Sequence, residues 1–179
     1  MKDTIKRLVR EGLEESITKI SIFDFDGTLM DTPEPETGKV IYKEKTGNDW
    51  PFKGWWGRNE GLDMDVFDIK PIPSVISDYK EEVARPNTHV VMMTGRIPKN
   101  AEHVEKILNA YSLKFDEYIY KKASETLSFK IGKLEEMLKA YPNLREIEMW
   151  EDRTEHTQAF REWGADKNIE MVVNQVWNH

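Results

Sequence analysis

The chain has no cysteine. That one absence excludes disulfides, thiolate zinc sites, iron–sulfur clusters and cysteine nucleophiles. No apolar run approaches the roughly 20 residues of a membrane span. The segment from Met1 to Glu15 is charged throughout and lacks the apolar centre of a secretion signal. A cytoplasmic location with no membrane partner is therefore expected. Neither charge sign is in large excess: 26 Lys+Arg stand against 33 Asp+Glu, a net charge of −7. Such a balance argues against non-specific, long-range attraction to nucleic acid, though a local basic pocket remains compatible with it. There is no internal repeat and no low-complexity tract. What is present is a polar globular composition, 39% hydrophobic and 33% charged, over 179 residues. That length fits one domain with an insertion, burying roughly 70% of its unfolded surface.

Ile5, Leu8, Val9 and Leu13 recur at helical spacing, so about 4–15 reads as an amphipathic helix. A short apolar run from Thr18 to Phe25, bounded by Gly27, reads as a buried strand. Residues 30–73 differ from the rest. They hold five of the eight prolines, five of the ten glycines, and Trp50, Trp55 and Trp56. We expect an irregular insertion there, ordered around its tryptophans. Beyond it, apolar stripes at Val75–Val83, Ala101–Tyr111, Leu134–Tyr141 and His156–Trp163 predict helices. They alternate with strands at His89–Met93, Glu117–Tyr120, Ile147–Trp150 and Ile169–Val173. That alternation implies an α/β fold with a parallel sheet covered on both faces. Such sheets bind ligands at the carboxyl ends of their strands.

Three strand ends carry chemistry. The first ends in Asp24-Phe25-Asp26-Gly27-Thr28, the second in Thr94-Gly95-Arg96, the fourth in Glu151-Asp152-Arg153. In an extended chain Asp24 and Asp26 project the same way. Two close carboxylates repel unless a cation or shared proton intervenes. A hard divalent ion resolves that conflict, and Mg2+ favours one or two carboxylates with water and substrate phosphate. Asp152 is positioned to supply a further ligand. Paired carboxylates and a metal suit phosphoryl transfer. One carboxylate attacks phosphorus, the other moves protons, and a hydroxyl such as Thr94 with a lysine binds the transferred oxygens.

The octapeptide Ile22-Phe23-Asp24-Phe25-Asp26-Gly27-Thr28-Leu29 resembles motif I of the haloacid-dehalogenase-like (HAD) superfamily. Val91 to Arg96 is similar to its motif II, and Trp150-Glu151-Asp152-Arg153 to its acidic motif IV. The resemblance spans about 18–175. It implies a Rossmann-like three-layer fold with strand order 3-2-1-4-5 and Mg2+ as cofactor. It also implies Asp24 as nucleophile, Asp26 as general acid/base that lends its backbone carbonyl to the metal, and Thr94 as phosphoryl ligand. Lys130 is the first choice for the motif III lysine, ahead of Lys133 and Lys122. Asp152 and Glu151 are the metal carboxylates, with the direct contact open between them. The acid/base two residues beyond the nucleophile favours a phosphatase over a dehalogenase. Gly54-Trp55-Trp56, Thr94-Gly95-Arg96, Phe129-Lys130 and Glu151-Asp152-Arg153 with His156 are further similar to HAD domains of Swiss Army Knife RNA-repair proteins. The Glu151-Asp152-Arg153 ending also resembles the 3′-phosphatase half of phage-type polynucleotide kinase-phosphatases. No Gly-x-x-x-x-Gly-Lys-Ser/Thr loop accompanies it.

In this superfamily the first cap insertion lies between strands one and two, where residues 30–73 fall. Their length and composition predict an open site with a modest flap, which suits a phosphorylated nucleic-acid end. Trp50, Trp55 and Trp56, near Lys53 and Arg58, are candidates to stack a base and hold a phosphate. Gly95, Arg96 and Arg153 are candidates for substrate contacts. Each has a plainer alternative: the tryptophans as packing, the arginines as surface ion pairs, Lys130 as a solvated helix lysine, His156 as a core histidine. Other substrates in view are nucleotides, other small phosphates and phosphoproteins. A nucleic-acid-binding module without turnover is the third possibility.

Overall fold

The computed structural model describes residues 1–122 and 125–177. The elements run α1 (Lys2–Ser16), β1 (Lys19–Phe23), β2 (Met30–Asp31), α2 (Pro35–Thr46), β3 (Lys70–Pro71), α3 (Pro73–Ala84) and β4 (Thr88–Thr94). They continue with α4 (Ala101–Ala110), β5 (Glu117–Tyr120), α5 (Thr126–Ala140), β6 (Glu146–Glu151), α6 (Thr154–Ala165) and β7 (Glu170–Gln175). The main sheet has the order β5-β4-β1-β6-β7 with every pairing parallel. Counted along its five strands, that is the expected 3-2-1-4-5.

Side-chain alternation builds two cores, one on each face. Ile20 and Ile22 of β1 join Val91, Met93, Ile147 and Met149 under Leu134 and Met137 of α5 and Phe160 of α6. Phe23 turns to the other face with Met92 and Trp150, under Val75 and Tyr79 of α3 and Ile107 and Leu108 of α4. Phe23 and Trp150, opposite one another in register, stack at 4.2 Å. Each large apolar side chain fully withdrawn from water contributes about 1.5–3 kcal/mol. The centre of the sheet is accordingly the most deeply buried part of the described structure, and the strand ends extend from it. By contrast, no residue of α1 is buried, and Ile5, Leu8, Val9 and Leu13 all face solvent. Among the described residues no helix is long and apolar enough to cross a membrane.

The insertion holds more regular structure than its composition suggests. Strands β2 and β3 pair antiparallel and close its base, and α2 runs for 12 residues. Periodicity misses α2 because its one buried residue is Gly38. Its ends were nonetheless marked, by Pro35 in the first turn and by Gly47, which caps it at φ 75°. The core of the insertion is Trp55, whose six-membered ring packs directly against Gly38: a Cβ there would fall 2.1 Å from the indole. Trp55 is only 4% exposed and donates its indole N–H to the Pro33 carbonyl. Trp55 does not stack a base, contrary to expectation, because its ring is enclosed by the insertion it packs.

Candidate active site

β1 stops at Phe23, earlier than the sequence suggests. Asp24 N–H still donates to the Trp150 carbonyl, at 3.1 Å, and then the chain turns. Gly27 sits at φ 67°, in the left-handed region where a side chain is strained. Backbone bonds from Leu29 N–H to Asp24 O and from Met30 N–H to Phe25 O fold the loop back on itself. The Thr28 hydroxyl is buried without a hydrogen-bond partner, so the turn is held by its backbone alone. Because the strand has ended, Asp24 and Asp26 point to different partners and not to one shared point.

Asp24 accepts a 2.8 Å hydrogen bond from the Lys130 ammonium, which also donates to Glu151 at 2.7 Å. Lys130 reaches this point because it occupies the inner stripe of α5, four residues before Leu134, and Glu125 caps that helix through the N–H groups of Leu127 and Ser128. Of the alternatives, Lys122 is exposed and Lys133 pairs with Glu136 on the surface. Glu151 is further met by the Arg153 N–H at 3.2 Å, and His156 Nδ1 stands 3.5 Å away. His156 is 2% exposed and lines the cleft. Asp152 has a buried Oδ1 with no hydrogen-bond partner.

One oxygen each from Asp24, Glu151 and Asp152 fits within 4.8 Å of the others. The electrostatics of this trio are unresolved by protein alone. Burial first, then Glu151, pushes the Asp24 carboxyl up to about 7 despite Lys130. Burial, then Asp24 and Glu151, pushes Asp152 up to about 8. Burial also opposes charge on Glu151, but Lys130 and His156 outweigh it and hold that carboxyl well below the usual range. Lys130 itself is disfavoured by burial and held above the ordinary lysine range by Asp24 and Glu151. An all-oxygen cluster with an orphaned carboxylate oxygen fits a hard divalent cation such as Mg2+. Glu151, already bound by Lys130 and a backbone N–H, has less to offer an ion than Asp152 has.

The Asp26 carboxylate lies outside this trio. Arg96 grips it with two hydrogen bonds of 2.9 and 2.7 Å, and Thr32 adds a third at 2.8 Å. Arg96 is 2% exposed, and its remaining arm donates to the Trp56 carbonyl at 2.8 Å. The expected direct substrate contact by Arg96 is thus replaced by an internal clamp. Thr94 is fully buried, and its hydroxyl accepts the Arg96 N–H, leaving its own proton to donate. Two guanidinium groups approach the Trp56 ring, Arg96 at 5.2 Å and Arg153 at 5.8 Å from its centre. Arg153 is exposed at the rim. The cleft joining these groups is also lined by Glu34, Gly95, Lys121 and Thr126. Thr126 lies so near Gly95 that a Cβ there would meet its methyl at 2.9 Å. Lys121 and Thr126, bonded at 3.3 Å, and Thr32 escape a sequence reading, since only the chain's return around the cleft brings them in.

Comparison with known proteins adds an independent line. The profile of the HAD domain family 1 in Swiss Army Knife RNA repair proteins matches residues 72–177. That stretch includes Thr94, Lys130, Glu151 and Asp152. An uncharacterized protein of Saccharomyces cerevisiae, YMR265C, is 27% identical over 172 residues, which cover 83% of this chain and 37% of the yeast protein. Two solved structures share the fold. The haloacid dehalogenase-like hydrolase SP0104 from Streptococcus pneumoniae has 16% identity and a TM-score of 0.52 over 87% of this chain and 83% of its own. The HAD domain of the effector Lem4 from Legionella pneumophila has 11% identity and a TM-score of 0.53 over 89% of this chain and 86% of its own.

Proposed function

The chain belongs to HAD domain family 1 in Swiss Army Knife RNA repair proteins and is a HAD-like hydrolase, and from that premise we propose that it is a Mg2+-dependent phosphomonoesterase acting through an aspartyl-phosphate. The observation that carries this reading is the contact of buried Lys130 with Asp24, beside two more carboxylates at the carboxyl edge of the sheet. Asp24 Oδ attacks phosphorus, forming the acyl-phosphate bond as the ester P–O bond breaks. The Asp26 carboxyl gives its proton to the departing oxygen. In the second step the Asp26 carboxylate takes a proton from water, whose oxygen attacks phosphorus and frees Asp24 and inorganic phosphate. Lys130 and the Thr94 hydroxyl donate to the equatorial oxygens while charge moves onto them. Asp24, Asp152 and the Asp26 backbone carbonyl, with Glu151 beside them, would hold a divalent cation, which would neutralise the phosphate charge.

Substrate choice rests on the rim. Trp56 offers an aromatic surface, and Arg153 and Lys121 add positive charge to the lining of the same cleft. A half-buried aromatic beside cations at the cleft suits a nucleotide at the end of a strand, and the RNA-repair setting of the family agrees, so we assign a 3′-phosphorylated nucleic-acid end as substrate. The test is phosphate release from 3′-phosphorylated oligonucleotides, mononucleotides and sugar phosphates, with and without chelator. Release that prefers the oligonucleotide and vanishes in Asp24→Asn is expected. Full activity in Asp24→Asn contradicts the mechanism, and preference for small phosphates contradicts the substrate.

A further inference from the structure

One buried guanidinium joins two parts of the molecule that are far apart in sequence. Arg96 follows β4, in the sheet. Two of its arms hold both oxygens of Asp26, at 2.9 and 2.7 Å, and the third holds the Trp56 carbonyl of the insertion, at 2.8 Å. Its side chain is 1% exposed. A planar fork bound in this bidentate way fixes the orientation of a carboxylate as well as its place. Thr32, at the root of the insertion, adds the third bond to the same carboxylate. The Asp26 side chain therefore takes its direction from the insertion, through Thr32 and through Arg96 on Trp56. The insertion in turn is set by Trp55 lying on Gly38, and Trp55 and Trp56 are adjacent in sequence.

We infer that Arg96 is a positioning residue, which acts on the reaction through Asp26 and makes proton transfer depend on how the insertion is seated. This inference rests on the aspartyl-phosphate reading above and adds to it the device that aims the acid/base. Three consequences separate it from direct phosphate binding by Arg96. First, loss of Arg96 falls on the step that needs a proton. An alkyl phosphate, whose departing oxygen is a poor leaving group, suffers far more than a nitrophenyl phosphate, which departs without help. Second, Arg96 and Asp26 behave as one unit, so the double variant is scarcely worse than Asp26→Asn alone. Third, a change in the core of the insertion reproduces the same bias without touching the cleft.

The experiment measures kcat and KM on an alkyl and a nitrophenyl phosphate for six chains: wild type, Asp26→Asn, Arg96→Gln, Arg96→Lys, the double variant of Asp26→Asn with Arg96→Gln, and Gly38→Val. Arg96→Lys, which keeps the charge and loses the fork, is the conservative control, and melting temperatures are recorded for all. Arg96→Gln is expected to lose about 10²-fold in kcat on the alkyl phosphate, the order general acid catalysis supplies. On the nitrophenyl phosphate it loses only several-fold, with KM little changed. Arg96→Lys shares the bias, and Gly38→Val shows it in weaker form. Equal losses on both substrates accompanied by a raised KM mean that Arg96 binds the phosphate, and they overturn the inference. Equal losses that track melting temperature mean a role in folding alone, and overturn it too. Multiplicative losses in the double variant do the same. If Asp26→Asn itself shows no leaving-group bias, the underlying reading of Asp26 has failed. If Asp26→Asn shows it and Arg96→Gln does not, only the positioning inference has failed.

Discussion

Two buried lysines stand at opposite ends of the same sheet and do different things. At the start of β1, Lys19 is 5% exposed and meets three glutamates, Glu148 at 2.6 Å, Glu82 at 2.9 Å and Glu146 at 3.1 Å. Ser21 and Arg85 complete the bonding of Glu82. Burial opposes charge on both Lys19 and Glu82, but hydrogen bonds win, raising Lys19 and lowering Glu82. At the far end, Lys130 also gathers carboxylates, yet Asp24 and Asp152 stay above the normal carboxylate range and one Asp152 oxygen has no partner. The first cluster is complete within the protein. The second is short of positive charge, which is the condition under which a site takes up a cation and a phosphate. Burying a lysine among acids does not by itself mark function; the unmet carboxylates do.

That contrast is sharpest in substitution. Lys130→Met is expected to remove phosphatase activity by at least about 10³-fold, since it deletes a donor to the reacting oxygens. Lys19→Met is expected to leave kcat per folded molecule unchanged and to cost about 3–5 kcal/mol in urea unfolding, because it strands buried glutamates. Equal activity losses in the two variants would erase the distinction.

A second way to separate the clusters is pH. Asp24 and Asp152 have an ordinary pKa near 3.8 and folded values raised to about 7 and about 8. A raised carboxyl means the folded chain binds the proton more tightly than the unfolded chain does. In chelator, stability is therefore expected to fall as pH rises from about 4 to about 8. Mg2+ is expected to restore it at pH 8 and to add little at pH 5, as read from melting temperature. The Lys19 cluster has the opposite signature. Lowered Glu82 contributes above its ordinary value and loses that contribution in acid, and raised Lys19 contributes until strongly alkaline pH, so nothing changes at this end between pH 5 and 9. A melting temperature that is flat with pH and indifferent to Mg2+ breaks the comparison.

Smaller effects are expected at the insertion. Gly38→Ala drives a methyl into Trp55 and is expected to cost about 1–3 kcal/mol by overpacking. Trp56→Ala is expected to raise KM several-fold for an oligonucleotide and less for a nitrophenyl phosphate, the pattern of a lost stacking face.

Much of this was legible from residues alone. β4 carries a continuous apolar run, Val90 to Met93, because both faces of the sheet are covered there. The other strands are short and rich in apolar residues, and the helices between them keep a clear stripe. Their alternation fixes a parallel sheet, and the sheet fixes which strand ends meet. That is why Asp24, Thr94, Glu151 and Asp152 can be named before any coordinates. Lys130 carries a local signal as well, a lysine on the inner stripe four residues before Leu134. What was not legible depends on contacts made across the insertion. Helix α2 has almost no apolar face, because the packing comes from Trp55 settling on a glycine. Arg96 reads as a phosphate contact, yet it is committed to Asp26 and to a carbonyl forty residues away in sequence. Asp26 reads as a neighbour of Asp24, but β1 ends two residues too soon for the strand's alternation to apply.

The central claim is that Asp24 carries the phosphoryl group. The direct measurement is acid quenching of the Asp26→Asn chain during turnover of an aryl phosphate with Mg2+, followed by peptide mass spectrometry. Without its base for the second step, that variant is expected to accumulate one phosphoryl group on Asp24, and Asp24→Asn is expected to accumulate none. Turnover without any phosphorylated peptide, or with the phosphoryl group on another residue, would contradict the account.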